Sequence, residues 1–384
     1  MKSSKYYSYL MSLGHFCSDI NQGALSAILP FLIAAYHYNY STAALLVMAA
    51  NITGSIVQPL FGQLADKKNL PWLIGVGLLL AGGGMAFTGF TDDFHLLCAA
   101  VIISGIGIAM FHPQAARLVN KASTAQNKGQ NTSIFAFGGT MGFTFGPIIA
   151  TSAIVWFGLQ GTVVFMVPAI LIFAVLLIFN SQLKQLGSIT LNKAGNASAQ
   201  ADDNWPAFYK LTAVIFSRSI LYYGFNTFLA LYFIDKFNVS EAQGTLILSI
   251  FYAAGAASTL FGGFLGDKYG YTTVVKTSFA VLLPSILVLT IINNIYLAVL
   301  ILLPISAALN ISYSPQVVLG QQYLPNRVGL ASGVTFGLAV SVGGIFTPLL
   351  GQLADTHSLL SVIYALAGIA VIPTLVSRLL PAVK

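Results

Sequence analysis

The chain has 384 residues, of which 57% are hydrophobic, 12% aromatic and only 7% charged, and its mean hydropathy is +0.82. Soluble proteins carry about 25% Asp, Glu, Lys and Arg, so 17 Lys+Arg and 10 Asp+Glu are too few to coat a globule of this size. That excludes a soluble enzyme, a disordered chain and a disulfide scaffold, and makes the bilayer the solvent. The net charge of +7 is therefore read by its location along the chain, and no nucleic-acid partner is expected.

The first apolar stretch, 6–36, is about twice as long as a signal-peptide core and contains His15 and Asp19, so it is expected to be a retained membrane helix. Eleven further apolar segments follow at 41–65, 71–90, 95–118, 130–157, 161–181, 207–236, 242–266, 272–292, 295–320, 329–354 and 358–380. Each has the roughly 20 residues that a crossing needs. Turns such as Thr91-Asp92-Asp93 and Leu324-Pro325-Asn326-Arg327 separate them. Residues 182–206 are polar and read as a cytoplasmic linker between an N-terminal bundle, 1–181, and a C-terminal bundle, 207–384. Cys17 and Cys98 fall inside apolar segments and read as small core residues.

Twelve crossings place both termini on one side. With the termini in the cytoplasm, 15 of the 17 basic residues lie inside, Lys236 lies outside and Arg218 lies within the membrane. The chain also repeats itself. Gly62-Gln-Leu64-Ala-Asp66-Lys67 matches Gly263-Phe-Leu265-Gly-Asp267-Lys268 at an offset of 201, and Gly142 and Pro147 match Gly343 and Pro348 at the same offset. Phe111-His112-Pro113-Gln114 is similar to Tyr313-Ser314-Pro315-Gln316 at 202. The expected fold is all-α and integral to the membrane, with twelve helices in two pseudo-symmetric six-helix bundles.

These residues resemble the major facilitator superfamily over essentially the whole chain. Asn69, where that superfamily usually has glycine, together with His15-x-x-x-Asp19 and Phe111-His112-Pro113, resembles the fosmidomycin-resistance-type drug exporters, most strongly over 14–150. The resemblance implies a proton-driven exporter in the bacterial cytoplasmic membrane. It implies a monomer that uses the proton gradient as energy source and carries no cofactor. One charge moved through ~150 mV yields roughly 3.5 kcal/mol, enough for a gradient of a few hundred-fold.

A charge at bilayer depth costs about 2.5–3.5 kcal/mol by insertion scales, so Asp19 and Arg218 need a reason to be there. His15, Asp19, Gln22 and Ser26 form one stripe at helical spacing, and Arg218, Tyr222 and Asn226 form another. Aligning Ser41 with Ser240 sets Asp19 opposite Arg218 at an offset of 199. Two readings stand: a static Asp19–Arg218 ion pair, or a proton site at Asp19 with both residues facing a central cavity. His15 is expected either to share that proton or to sit as a neutral hydrogen-bonded histidine. His112, next to the helix-bending Pro113, is expected either to join the route or to plug a gap. Arg218 suits an anionic group through its planar fork. Gln22, Tyr222, Asn226, Asn310 and Tyr313 are expected either to offer further substrate contacts or to serve as packing residues.

Gating is assigned to Gly62, Asp66, Arg117, Gly142, Gly146, Pro147 and Asp267. The aspartates act as carboxylates against helix ends, with Lys67 or Lys268 as partners. The fifth-segment glycines act as a close-packed sliding contact between the halves. In the resemblance, Gly142-x-x-x-Gly146-Pro147 corresponds to the antiporter motif of drug exporters. An importer or symporter on the same fold, or a metallophore or metabolite exporter, remains an alternative. An intramembrane enzyme is disfavoured. No His-x-x-Glu-His, carboxylate pair or cysteine cluster is present, so no catalytic or metal-ligand set is expected.

Overall fold

The apolar segments become helices, and the residues that start them are polar caps. In a computed structural model, which describes residues 4–67, 69–123, 128–188, 202–327, 330–331 and 333–382, α1 runs Ser4–Tyr36, α2 Tyr40–Lys67, α3 Trp72–Phe87, α4 Phe94–Ala122 and α5 Lys128–Phe157. A 3-10 turn, Leu159–Phe165, leads into α6, Met166–Ile178, and α7 is Asn180–Ser188. After the linker come α8 Trp205–Phe237, α9 Glu241–Tyr269, α10 Tyr271–Ile291, α11 Ile295–Ile311 and α12 Tyr313–Tyr323. A π-helical turn, Gly333–Leu338, precedes α13, Ala339–Thr356, and α14 is Leu359–Arg378.

Asp93 caps α4 by accepting the Leu96 N–H at 2.9 Å, Asn204 caps α8 through Ala207, and Ser240 with Gln243 forms a capping box on α9. Ten of the spans are long and apolar enough to cross a bilayer, and the shorter Trp72–Phe87 and the 33-residue α8 complete the twelve. Large apolar side chains also face outward, Trp156 at 80% and Ile178 at 76% exposure. In water they would be a liability; against lipid tails they are the solvated face.

The described residues fall into two compact units, those within 1–36 and 49–195 and those within 37–48 and 196–384. In the first, α1 and α5 run so close that glycine is required. A Cβ on Gly138 would lie 2.0 Å from the Ser12 carbonyl oxygen, one on Gly142 2.7 Å from that of Phe16, and one on Gly146 2.5 Å from that of Ile20. The core beneath holds Met11, Cys17, Leu78 and Phe111. The amphipathic α7 adds Leu183 and Leu186 to that core, so the segment expected as linker from 182 begins as a docked helix. Asn69 donates to the Lys184 carbonyl at 2.7 Å, which gives this residue a structural task where a glycine would have none.

In the second unit α8 is buried along most of its length. Asp203 pairs with Arg327 at 3.2 Å, and the Arg327 guanidinium sits 5.6 Å from the centre of the Trp205 ring. Lys236 donates to the Leu289 and Thr290 carbonyls at the end of α10. Asp355, at the end of α13, accepts the backbone N–H groups of Tyr40 at 2.7 Å and Ser41 at 3.0 Å.

Candidate functional site

Two polar clusters lie inside the apolar helices, one in each unit. In the first, the one-turn spacing of His15 and Asp19 puts both on the same face of α1, and α4 supplies His112 from 93 residues away. His15 Nε2 is 3.2 Å from Asp19 Oδ2, and His112 Nε2 is 3.0 Å from Asp19 Oδ1. Asp19 is 4% exposed. The other nitrogen of His15, Nδ1, meets the Phe135 carbonyl of α5 at 2.8 Å, and the ring stacks on Phe135 with centroids 4.2 Å apart. Gly139 forms the floor: a Cβ there would lie 2.5 Å from His15 Nε2 and 2.7 Å from Asp19 Oδ2.

The hydrogen bonds count the protons. A carbonyl oxygen only accepts, so His15 carries a hydrogen on Nδ1. A neutral imidazole then has a lone pair on Nε2, which would face a carboxylate oxygen at 3.2 Å. The contact is attractive only if one more proton lies there, on His15 or on Asp19. His112 Nε2 faces the other oxygen at 3.0 Å. The geometry therefore fits one proton held between His15 Nε2 and Asp19 Oδ2, and among the described residues no lysine or arginine pairs with Asp19.

The second cluster is built on α8. Arg218, 9% exposed, donates from Nε to the Leu309 carbonyl at 2.6 Å. Its guanidinium lies 4.7 Å from the centre of the Tyr313 ring and 5.6 Å from that of Tyr222. The guanidinium is buried here, and desolvated cation–ring contacts reach about 2 kcal/mol. Asp19 contacts two histidines and Arg218 a carbonyl and two rings, so each charge is engaged within its own unit.

A matching glycine in each unit gives an internal ruler. Where Gly142 meets the Phe16 carbonyl and the Ile20 amide, Gly343 meets the Ser219 carbonyl and the Tyr223 ring. This pairs Phe16 with Ser219, an offset of 203, and so pairs His15 with Arg218 and Asp19 with Tyr222. The alignment of Asp19 with Arg218 does not hold. One reason is that Asn39, not Ser41, caps α2, accepting the Thr42 N–H at 2.9 Å, so Ser41 is not the counterpart of Ser240.

The remaining sequence-chosen residues are dispersed. Gln22 lines a small cavity of about 20 Å³ with Asn21 and Ser104, room for roughly one water. Asn226 is buried two turns along α8 from Arg218. Asn310 donates to the Ser306 carbonyl at 2.8 Å and packs over Gly255. Asp267 accepts a hydrogen bond from Tyr271, while Lys268 lies over the Tyr269 ring, so the expected Lys268 partner is replaced by a tyrosine hydroxyl. Gly62 faces Pro113 of α4, and Arg117 is half-buried. The side chains of Asp66 and Lys67 lie outside the described residues. Gly142 and Gly146 meet α1 of their own unit, not the other half, and Pro147 is buried within α5.

The donor atoms of His15, Asp19 and His112 all lie within 4.8 Å of one another. The expectation that these residues do not converge on a metal-ligand set is therefore corrected. Spacing along the sequence could not show it, because the third member comes from another helix. Sequence reasoning also missed Phe135 and Gly139, whose contributions are a backbone carbonyl and an absent side chain.

Helices that expose apolar surface all round, repeated halves, and polar clusters buried within them define a multi-pass membrane transporter. The chain belongs to the Major Facilitator Superfamily, whose model matches residues 11–348. It is 29% identical over 366 residues to the fosmidomycin resistance protein of Escherichia coli (strain K12), covering 93% of this chain and 88% of that one. To the quinolone resistance protein NorA of Staphylococcus aureus (strain COL) it is 24% identical, covering 87% and 86%. A solved bacterial homologue of the human lysosomal transporter Spinster, in an inward-facing and occupied conformation, superposes with a TM-score of 0.80 at 14% identity, covering 98% of this chain and 96% of that one. The fold is thus that of twelve transmembrane helices in two six-helix bundles, and the family is one of transporters, not enzymes.

Proposed function

We propose that the protein exports small amphipathic or anionic compounds in exchange for protons, by alternating access. The observation that carries this reading is the proton count at His15, Asp19 and His112. With its extra proton the cluster is neutral; without it, a buried carboxylate faces a lone pair. A buried uncompensated charge is costly, so release of the proton favours a rearrangement of α1 against α4 and α5. That supplies the coupling: the cluster loads a proton from outside in one conformation and releases it to the cytoplasm in the other. His15 and His112 share the proton with Asp19, and transport needs no resident cofactor.

The substrate contacts are assigned to Arg218, Tyr222 and Tyr313 in the second unit, with Asn226 and Asn310 secondary there and Gln22 secondary in the first. A guanidinium between aromatic rings suits a phosphonate or carboxylate on an amphipathic body. The names of the two resistance proteins support export. The basic residues and these bacterial relatives favour the cytoplasmic membrane with both termini inside, and the protein is taken as a monomer. Asp66, Asp267, Gly62 and Arg117 remain assigned to the cytoplasmic gate, and Gly142, Gly146 and Pro147 to the α1–α5 contact that moves with it.

The test is reconstitution into liposomes with an imposed pH gradient, using fosmidomycin and a quinolone as probes. Accumulation that follows the gradient in the antiport sense supports the reading. Movement that ignores the gradient overturns it, and accumulation in the opposite sense makes the protein a symporter.

A further inference from the structure

We propose that His15, Asp19 and His112 form a binding site for a transition-metal dication of the zinc class. Two borderline imidazole nitrogens beside a single carboxylate suit Zn²⁺ or Co²⁺ and discriminate against Mg²⁺ and Ca²⁺, which take all-oxygen sets. The three donor atoms lie within 4.8 Å of one another, and the two carboxylate contacts measure 3.2 and 3.0 Å. A tetrahedral ion with bonds of about 2.0–2.2 Å sets its ligand atoms roughly 3.3–3.6 Å apart, so the three side chains adjust by on the order of 1 Å to hold it.

A second observation points the same way. Metal-binding histidines are normally oriented by a hydrogen bond from the ring nitrogen that does not bind the ion. His15 has that arrangement: its Nδ1–H is held by the Phe135 carbonyl at 2.8 Å and its ring is stacked at 4.2 Å, which aims Nε2 at Asp19. Asp19 is nearly enclosed, whereas the His15 and His112 side chains keep 14% and 20% of their surface exposed, which leaves an entry path. Three protein ligands leave the fourth position to water or to an anionic group. Because His15 and Asp19 are on α1 and His112 is on α4, the ion cross-links the two helices. Among the described residues the other histidines, His37, His95 and His357, belong to no such group.

Binding is measured on the purified full-length protein without substrate or pH gradient, so the result is independent of whether transport is proton-coupled. The probe is Co²⁺, read by the visible absorption of a tetrahedral ion and displaced by Zn²⁺. The expected result is one ion per chain, Mg²⁺ not competing, and at least about tenfold weaker binding in His15→Gln, His112→Gln and Asp19→Asn, with His357→Gln unchanged. Variants are compared only where their circular dichroism and gel-filtration profiles match the original. Should Asp19→Asn fail to fold, the two histidine variants carry the test alone. No tetrahedral Co²⁺ spectrum in the original protein, or an undiminished one in both histidine variants, overturns the proposal.

Discussion

His112 reaches Asp19 across 3.0 Å and so joins α4 to α1 over 93 residues of chain, while His15 takes the second carboxylate oxygen from one turn away. Removing the carboxylate leaves two imidazoles without their common partner. Asp19→Asn is expected to uncouple transport from the proton gradient, measured as substrate-driven proton flux in liposomes. An amide offers His112 an acceptor but cannot exchange the proton. Because one partner of a buried charged pair is removed, a stability loss of about 3–5 kcal/mol is the upper bound. Coupled flux at the original rate in Asp19→Asn would move the proton site elsewhere.

Gly139 is predicted to matter through its missing side chain. Gly139→Ala places a Cβ 2.5 Å from His15 Nε2, so the ring must turn away from Asp19. Overpacking of this kind costs about 1–3 kcal/mol. Coupled transport should fall, whereas Gly368→Ala, with nothing within 4 Å of its Cβ, should leave transport and thermal stability unchanged. Equal behaviour of the two variants would remove Gly139 from the site.

The Arg218 cluster separates charge from shape. Arg218→Lys keeps a cation but loses the planar fork and the Nε bond to Leu309. The KM for a phosphonate probe should rise about tenfold, equal to roughly 1.4 kcal/mol, with that for a neutral probe little changed. Tyr313→Leu removes the ring 4.7 Å from the guanidinium and should lose about 0.5–2 kcal/mol of local stability. A KM for the anionic probe that does not respond to Arg218→Lys would exclude this arginine from binding.

Asp355 caps the first turn of α2 with its carboxylate, and Asp355→Ala should cost about 0.5–2 kcal/mol. Thermal unfolding in detergent measures it. The exposed Asp203–Arg327 pair, by contrast, should contribute no more than about 1 kcal/mol, so Arg327→Gln serves as the comparison. A larger loss for Arg327→Gln than for Asp355→Ala would contradict this assignment.

Much of the fold was legible because a bilayer imposes one rule on every span. The segment read as 6–36 is Ser4–Tyr36, and that read as 272–292 is Tyr271–Ile291. Hydropathy could not show the break at Ser312 or the π-helical turn at Gly333–Leu338, which are local backbone events inside apolar runs. It also missed α7, a short helix docked by two buried leucines and Asn69. At the site, helical spacing brought His15 to Asp19, and Phe111-His112-Pro113 drew attention to His112. The meeting of α4 with α1, and the pairing of Arg218 with His15 rather than Asp19, depend on how far neighbouring helices slide along their glycines. Sequence offsets between caps do not carry that information.

The central claim is that the His15–Asp19–His112 cluster carries the coupling proton. It is tested most directly by measuring proton release from the detergent-purified protein, in weak buffer, when a saturating phosphonate probe is added. The account predicts release from the original protein and none from Asp19→Asn, although both bind the probe. Equal release from the two would contradict it.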